Sequence, residues 1–297
     1  MDAEIQKDYL LAGKLVAEGL ELGRKIIQPG INIRETLERI EEHLQSQAEI
    51  AFPAQISINE IAAHWCPEPN DETVYKEGDL VKLDIGCHVN GRIADAAITI
   101  DLSKEQTHAR LIRAAEKARD AAVELATPGR TLGEMGKKIA EIIAQEGYVA
   151  VRNLGGHGLG EYNVHTTPSI PNADTGDKTI LEEGMTIAIE PFASTGIGIV
   201  HEQEYANIYR ITKKPRVRSV YARKAVQSIG LYGLPFSLHR LAKALGEGPA
   251  RLAIKELYAA GALQTYPPLV EQKGVYIAQA EHSVIVAKKP IVYTRIE

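Results

Sequence analysis

The sequence predicts an α+β fold made of two related halves, with a mainly helical segment inserted late in the chain. Three observations predict it. A helix–Pro-Gly–helix pattern occurs twice, at Pro29-Gly30 and again at Pro128-Gly129, an offset of 99 residues. Apolar, β-branched runs flank Asn90-Gly91, the strongest short-range hairpin signal because both turn residues need positive φ. Residues 209–272 fit neither half.

In chain order, residues 7–27 read as a helix, with Leu11, Leu15, Leu22 and Ile26 at helical spacing, and Pro29-Gly30 ends it. Asn32 is a candidate N-cap with Glu35 in the capping-box spacing, opening a second helix that runs to about Gln47. The scheme repeats as a helix over 109–127, Pro128-Gly129, Thr131 with Glu134, and a helix to about Gln145. It continues into the strands. Glu77-Gly78 before a strand ending on Asp84 is echoed by Glu183-Gly184 before a strand ending on Glu190, an offset of 106. His64 and His165 fall into register at an offset of 101. This ordered series predicts an internal pseudo-two-fold repeat. Each half gives a carboxylate and a histidine to a shared cleft.

The segment 209–272 is basic at its start (Arg210, Lys213, Lys214, Arg216, Arg218, Arg223, Lys224). It then reads as short helices over 219–229, 237–245 and 249–260, the last stopped by Gly261, with a turn at Tyr266-Pro267-Pro268. A strand over 274–287 returns to the style of the main domain. The run of helices is winged-helix-like. The net charge of −5 gives little support to DNA binding, so a scaffold or substrate-wall role is preferred. The expected division is 1–208 with 273–297 as one domain and 209–272 as the insertion.

Length and composition exclude several classes. A chain of 297 residues buries about 75% of its unfolded-state surface. At 44% hydrophobic and 25% charged it reads as an ordinary soluble protein, and 5% aromatic content disfavours base-stacking or carbohydrate platforms. Cys66 and Cys87 are too few for a disulfide scaffold and suit a reducing compartment. No apolar run approaches membrane-spanning length, and residues 1–10 lack a signal-peptide core. The expectation is an intracellular, cytoplasmic protein without membrane or nucleic-acid partners; a monomer is expected, since nothing demands an oligomer.

The chemistry centres on the hairpin. With Asn90-Gly91 as the turn, Val89 lies opposite Arg92, Gly86 opposite Asp95 and Asp84 opposite Ala97. Asp84 and Asp95 then point to one face as diagonal neighbours, roughly 7–8 Å apart. Two carboxylates in an apolar sheet repel each other and lose hydration unless a cation sits between them. Glu190 in Ile189-Glu190-Pro191-Phe192 and Glu281 in Ala280-Glu281-His282 are likewise acids inside apolar strands. In Gly155-Gly156-His157-Gly158-Leu159-Gly160 no phosphate-loop Lys-Ser/Thr follows, and the glycines let the backbone approach a site and aim the imidazole. Asp, Asp, His, Glu and Glu form an oxygen-rich set with one imidazole, suited to two divalent ions such as Mn, Fe, Co or Zn. Such a pair, roughly 3.5–4 Å apart, polarises a carbonyl, generates hydroxide near neutral pH and stabilises a tetrahedral intermediate.

On these motifs, together with 52–64 (Phe52 through His64) and His165 with Ser169-Ile170-Pro171-Asn172, the chain resembles the methionine aminopeptidases of the type 2 class in their short archaeal form. The resemblance runs from about Lys7 to Glu297. It implies the pita-bread (creatinase/aminopeptidase-like) fold, which matches the repeat, and type 2 because of the insertion. It implies a dinuclear metallo-aminopeptidase that removes the initiator methionine of nascent proteins when the next residue is small. Carried over, Asp84 chelates one metal and Asp95 bridges both. His157 and Glu190 hold the other, and Glu281 bridges from the opposite side. Glu190 is also the general base, His64 and His165 contact substrate, and Phe52 and Tyr276 line the methionine pocket. Two departures stand out. Gly158-Leu159-Gly160 replaces the Ser-Ile-Gly of many members and removes no ligand. Thr166-Thr167 follows His165 where small residues are usual, which bears on pocket dimensions. The substrate, a nascent chain end, is compatible with ribosome association, although no residue demonstrates it.

Two other readings share parts of this pattern. An X-Pro peptidase uses the same ligand chemistry, but those enzymes usually carry an additional N-terminal domain and here the first ligand is already residue 84. A non-catalytic RNA- or protein-binding relative would have the basic stretch after Arg210 as its only support, and this chain retains all five ligand positions.

Overall fold

The hairpin forms with the register read from its turn. Asn90 (φ 50°) and Gly91 (φ 80°) both take left-handed backbone, and Leu80–Val89 pairs with Arg92–Asp101 so that Asp84 faces Ala97 and Gly86 faces Asp95. The structure is a computed structural model describing residues 1–230 and 233–295. A third strand, Glu49–Ile58, adds to the hairpin through Leu80–Val89 and brings Phe52 opposite Gly86. A Cβ on residue 86 would lie 2.1 Å from the Phe52 ring, so glycine is what lets that ring cover the strand.

The repeat is visible in equivalent hydrogen bonds. Helices Ala3–Ile26 and Ile33–Leu44 recur as Ala109–Glu124 and Leu132–Gln145. Their ends fall within a few residues of the positions read from sequence, the first helix starting earlier and the second and third ending sooner. Gly30 N–H donates to Tyr75 O at 2.8 Å, and Gly129 N–H to Leu181 O at 2.9 Å. Ile33 N–H donates to Thr73 O, and Leu132 N–H to Thr179 O, both at 3.0 Å. Asn32 Oδ1 accepts from Glu35 N–H at 3.1 Å; Thr131 and Glu134 form the full reciprocal capping box. Each helix pair seals its own core. Leu15, Val16, Ile40, Leu83 and Ile85 pack in the first half, and Leu111, Met135, Ile139, Ile187 and Ile189 in the second. Burying each such side chain contributes roughly 1.5–3 kcal/mol.

The second half holds a five-stranded sheet in the order Ile291–Val292, His282–Ile285, Thr186–Ile189, Gly155–Gly160, Asn163–Pro171. Here the strand expected over 274–287 is broken into Ile277–Gln279 and His282–Ile285. The facing chain breaks at the same level, between Thr186–Ile189 and Phe192–Ser194. Pro191 has no N–H to give the ladder. Glu281 N–H is taken by Ala97 O at 3.0 Å, across in the first half. Both acids therefore leave the sheet at a shared kink. Their apolar flanks hide this from the sequence, because hydrophobic pattern does not register a lost ladder bond.

The insertion contains more than helices. Val220–Ile229, Leu238–Leu245 and Glu247–Ala259 accompany an antiparallel sheet in which Ile208–Ile211 runs between Phe236–Ser237 and Leu263–Tyr266. Ile211, Ala225, Leu241 and Leu257 belong to a separate apolar cluster there. It docks on the first half where Glu38 accepts from His239 Nε2 at 2.8 Å and pairs with Lys243 Nζ at 3.2 Å.

Candidate metal centre

The hairpin, the kinked strands and the glycine-flanked histidine converge on one cavity between the halves. Asp84 and Asp95 reach it from the hairpin, His157 from Gly155–Gly160, and Glu190 and Glu281 from the two strand breaks. His64 and His165 lie on its walls, one from each half. Among the described residues, Asp95, His157 and Glu281 each offer a ligand atom with all three atoms within 4.8 Å of one another. His157 Nε2 stands 3.6 Å from Asp95 Oδ2 and 3.7 Å from Glu190 Oε1. Asp84 lines the same cavity, and its buried Oδ1 has no hydrogen-bond partner; Glu281 Oε2 is likewise without one.

The main chain around these groups is fixed by bonds that leave their side chains free. Ser283 Oγ donates to Asp95 O at 2.7 Å and accepts from Asp95 N–H at 2.9 Å. Asn172 Nδ2 donates to Glu190 O at 3.1 Å. His64 sits in left-handed backbone (φ 66°), where its N–H donates to Gln55 Oε1 at 2.9 Å. The imidazoles of His157 and His165 meet edge-on at 4.4 Å between centroids.

Burial pushes every titratable group here toward its neutral form. The Asp84 carboxyl is raised to about 7 by loss of water, against hydrogen bonds from Gln279 and Asp95 that lower it. Asp95, Glu190 and Glu281 are all raised well above the usual carboxyl range, by burial first and then by one another's charge. Burial holds His64 and His157 down at about 4, and His165 at about 2 with help from the charges of His157 and His64. Four acids that resist ionising and neutral imidazoles make a cavity short of positive charge. Carboxylate oxygens without hydrogen-bond partners, in one cavity with two that stand 3.6 and 3.7 Å from His157 Nε2, are the donor set that hard and borderline divalent ions take. The residues fit such ions.

A scan against family descriptions matches residues 8–229 to metallopeptidase family M24. The chain belongs to this family. As an M24 metallopeptidase it is 40% identical, over 96% of its length and 97% of the relative's, to the methionine aminopeptidase of Archaeoglobus fulgidus. Its fold is similar to that of the methionine aminopeptidase of Thermotoga maritima (TM-score 0.72, 25% identity, 100% and 98% of the two chains). A thermophilic Arx1 superposes with TM-score 0.88 at 15% identity over 100% and 92% of the chains, a likeness of fold alone. The pita-bread architecture follows, and divalent metal ions belong with the family's chemistry.

One expected residue lies elsewhere. Tyr276 is absent from the cavity lining: its ring packs on His108, with centroids 4.1 Å apart. Alternation explains this, since the next residue, Ile277, packs in a cluster with Ala62 and Phe192 and Tyr276 therefore turns toward the helix Ala109–Glu124. Phe52 does line the cavity, joined by Ile208 at the edge of the insertion and by Pro235 and Tyr266 within it. Sequence reasoning allowed the insertion a wall role but did not name these three, because nothing in their local pattern says which residues reach the site.

Proposed function

We propose that this chain is a dinuclear metallo-aminopeptidase that releases the N-terminal methionine of nascent polypeptides when the second residue is small. The observation that carries the reading is the cavity between the halves, where four carboxylates and His157 meet beside an apolar wall. Its ligands would be Asp84, Asp95, His157, Glu190 and Glu281, holding two ions drawn from Co, Mn, Fe or Zn. Bound there, they would polarise the scissile carbonyl and lower the pKa of the attacking water.

The chain's own residues supply the rest. Glu190 is the general base: its carboxylate takes the proton of the attacking water and returns it to the leaving amine. His64 and His165, uncharged at neutral pH because burial depresses them, hold the scissile peptide and its developing oxyanion by hydrogen bonds rather than by charge. Phe52, Ile208 and Tyr266 form the apolar wall that receives the methionine side chain, Tyr266 in the place the sequence assigned to Tyr276. The same reading treats 1–208 with 273–297 as the catalytic domain and 209–272 as an insertion that walls the site. It is supported by the separate apolar cluster of that segment. A cytoplasmic location goes with it, in keeping with two free buried cysteines and no described helix long and apolar enough to cross a membrane.

The test is turnover of Met-Ala-Ser with Mn or Co present, against Ala-Pro as the X-Pro substrate. Methionine release, lost on EDTA treatment and regained with metal, is expected. Metal-loaded protein that releases no methionine sinks the reading.

A further inference from the structure

Gln279 has no part in the mechanism above, yet its side chain is buried against the carboxylates. It ends the strand Ile277–Gln279, opposite Phe192, and so sits diagonally from Glu190. Its Nε2 donates to Glu190 Oε2 at 3.3 Å, and the same amide also gives a hydrogen bond to the neighbouring Asp84 carboxyl. Its Oε1 is buried with no hydrogen-bond partner. The Thr99 hydroxyl moors its main chain at both ends, donating to Gln279 O at 2.6 Å and accepting from Gln279 N–H at 2.8 Å. A methionine would fill the same space and bury no orphaned oxygen, so packing alone favours the apolar residue. What glutamine adds at this position is a donor.

We propose that Gln279, moored by Thr99, is a positioning residue that fixes the rotation of the Glu190 carboxylate. With Oε2 held by the amide, Oε1 is left facing the cavity, 3.7 Å from His157 Nε2. A carboxylate that is already oriented loses less freedom when an ion binds than one that must be ordered. The inference rests on the metal-centre reading.

Protein stripped with EDTA is titrated with Mn²⁺ by calorimetry, as wild type and as Gln279→Met. The variant should bind Mn²⁺ about 10–100-fold more weakly. Loaded with Co²⁺, its visible absorption should shift. On Met-Ala-Ser, kcat should fall while KM stays within about twofold. A folded Gln279→Met with wild-type Mn²⁺ affinity overturns the proposal. If that variant does not fold, Thr99→Val removes the mooring hydroxyl at constant shape: weaker Mn²⁺ binding supports the role, and unchanged binding overturns it. Wild-type protein that takes up no Mn²⁺ brings down the metal-centre reading and this inference together. Normal wild-type uptake with an unaffected variant brings down only the role of Gln279.

Discussion

Replacing Asp95 with asparagine should make the metal-free protein less sensitive to rising pH. Asp84 is raised from 3.8 to about 7, and Asp95, Glu190 and Glu281 are raised well above the usual range, in part by one another's charge. A carboxyl with a raised folded pKa contributes stability that is intact below its unfolded value and is lost as pH rises through the folded one. For Asp84 that window runs from 3.8 to about 7, and for the other three it likewise runs upward from their ordinary values. Two other effects run the opposite way. His64, His157 and His165 are depressed from 6.5, so their contribution is lost as pH falls below that value. Buried Lys82 is lowered from 10.5 to about 7, so its contribution grows as pH rises between those values. All of these groups persist in Asp95→Asn, so the difference between the two proteins reports the missing carboxylate together with the relief of Glu281, which its charge helps to raise. One retained proton corresponds to about 1.4 kcal/mol per pH unit, or roughly 2–4 °C in Tm for a chain of this size. The fold should survive, because Ser283 bonds the main chain of residue 95 and not its side chain. Thermal unfolding in EDTA across the neutral range is the assay. Asp95→Asn should gain on wild type as pH rises, and it should lose the stabilisation that Mn²⁺ gives wild type, about 2.7 kcal/mol at one hundred times Kd. Parallel curves for the two proteins, or an equal response to Mn²⁺, would refute the reasoning.

Other outcomes follow from single contacts. Ser283→Ala leaves the N–H and carbonyl of Asp95 buried without their partner, and urea unfolding should show a loss of about 1–3 kcal/mol. Gly86→Ala sets a Cβ 2.1 Å from the Phe52 ring and 2.9 Å from Ala94 O; a loss of about 1–3 kcal/mol is expected. Because Phe52 lines the cavity, the same variant should raise KM for Met-Ala-Ser. Thr131→Ala removes one arm of the capping box and should cost about 1 kcal/mol in chemical denaturation, with activity at neutral pH unchanged.

The candidate site was legible wherever one local rule decides geometry. Asn90-Gly91 admits one tight turn, and with side chains alternating along a strand that turn alone puts Asp84 and Asp95 on one face. The caps at Asn32 and Thr131 were legible for the same reason: a short polar side chain at a helix start has one nearby N–H to satisfy. Because those caps and the Glu-Gly pairs recur at ordered offsets, the two-half architecture could be read before any long-range contact was known.

The sequence by itself determined the hairpin register, the helix pairs and the acids and histidine that meet between the halves. Only the tertiary structure decided how they meet. Pro191 withholds a ladder N–H at one break, but the other, at Ala280-Glu281, goes with Glu281 N–H pairing to Ala97 O across the halves, a bond between residues 184 positions apart. Tyr266 rather than Tyr276 faces the cavity because the insertion folds back over the first half, docked through Glu38, His239 and Lys243. Gln279 gives no periodic signal, and its amide matters only because the kink brings Glu190 beside it. Turns and caps are settled by forces acting within a few residues. Which side chain fills a shared cavity is settled by packing between segments that the chain brings together only when it closes.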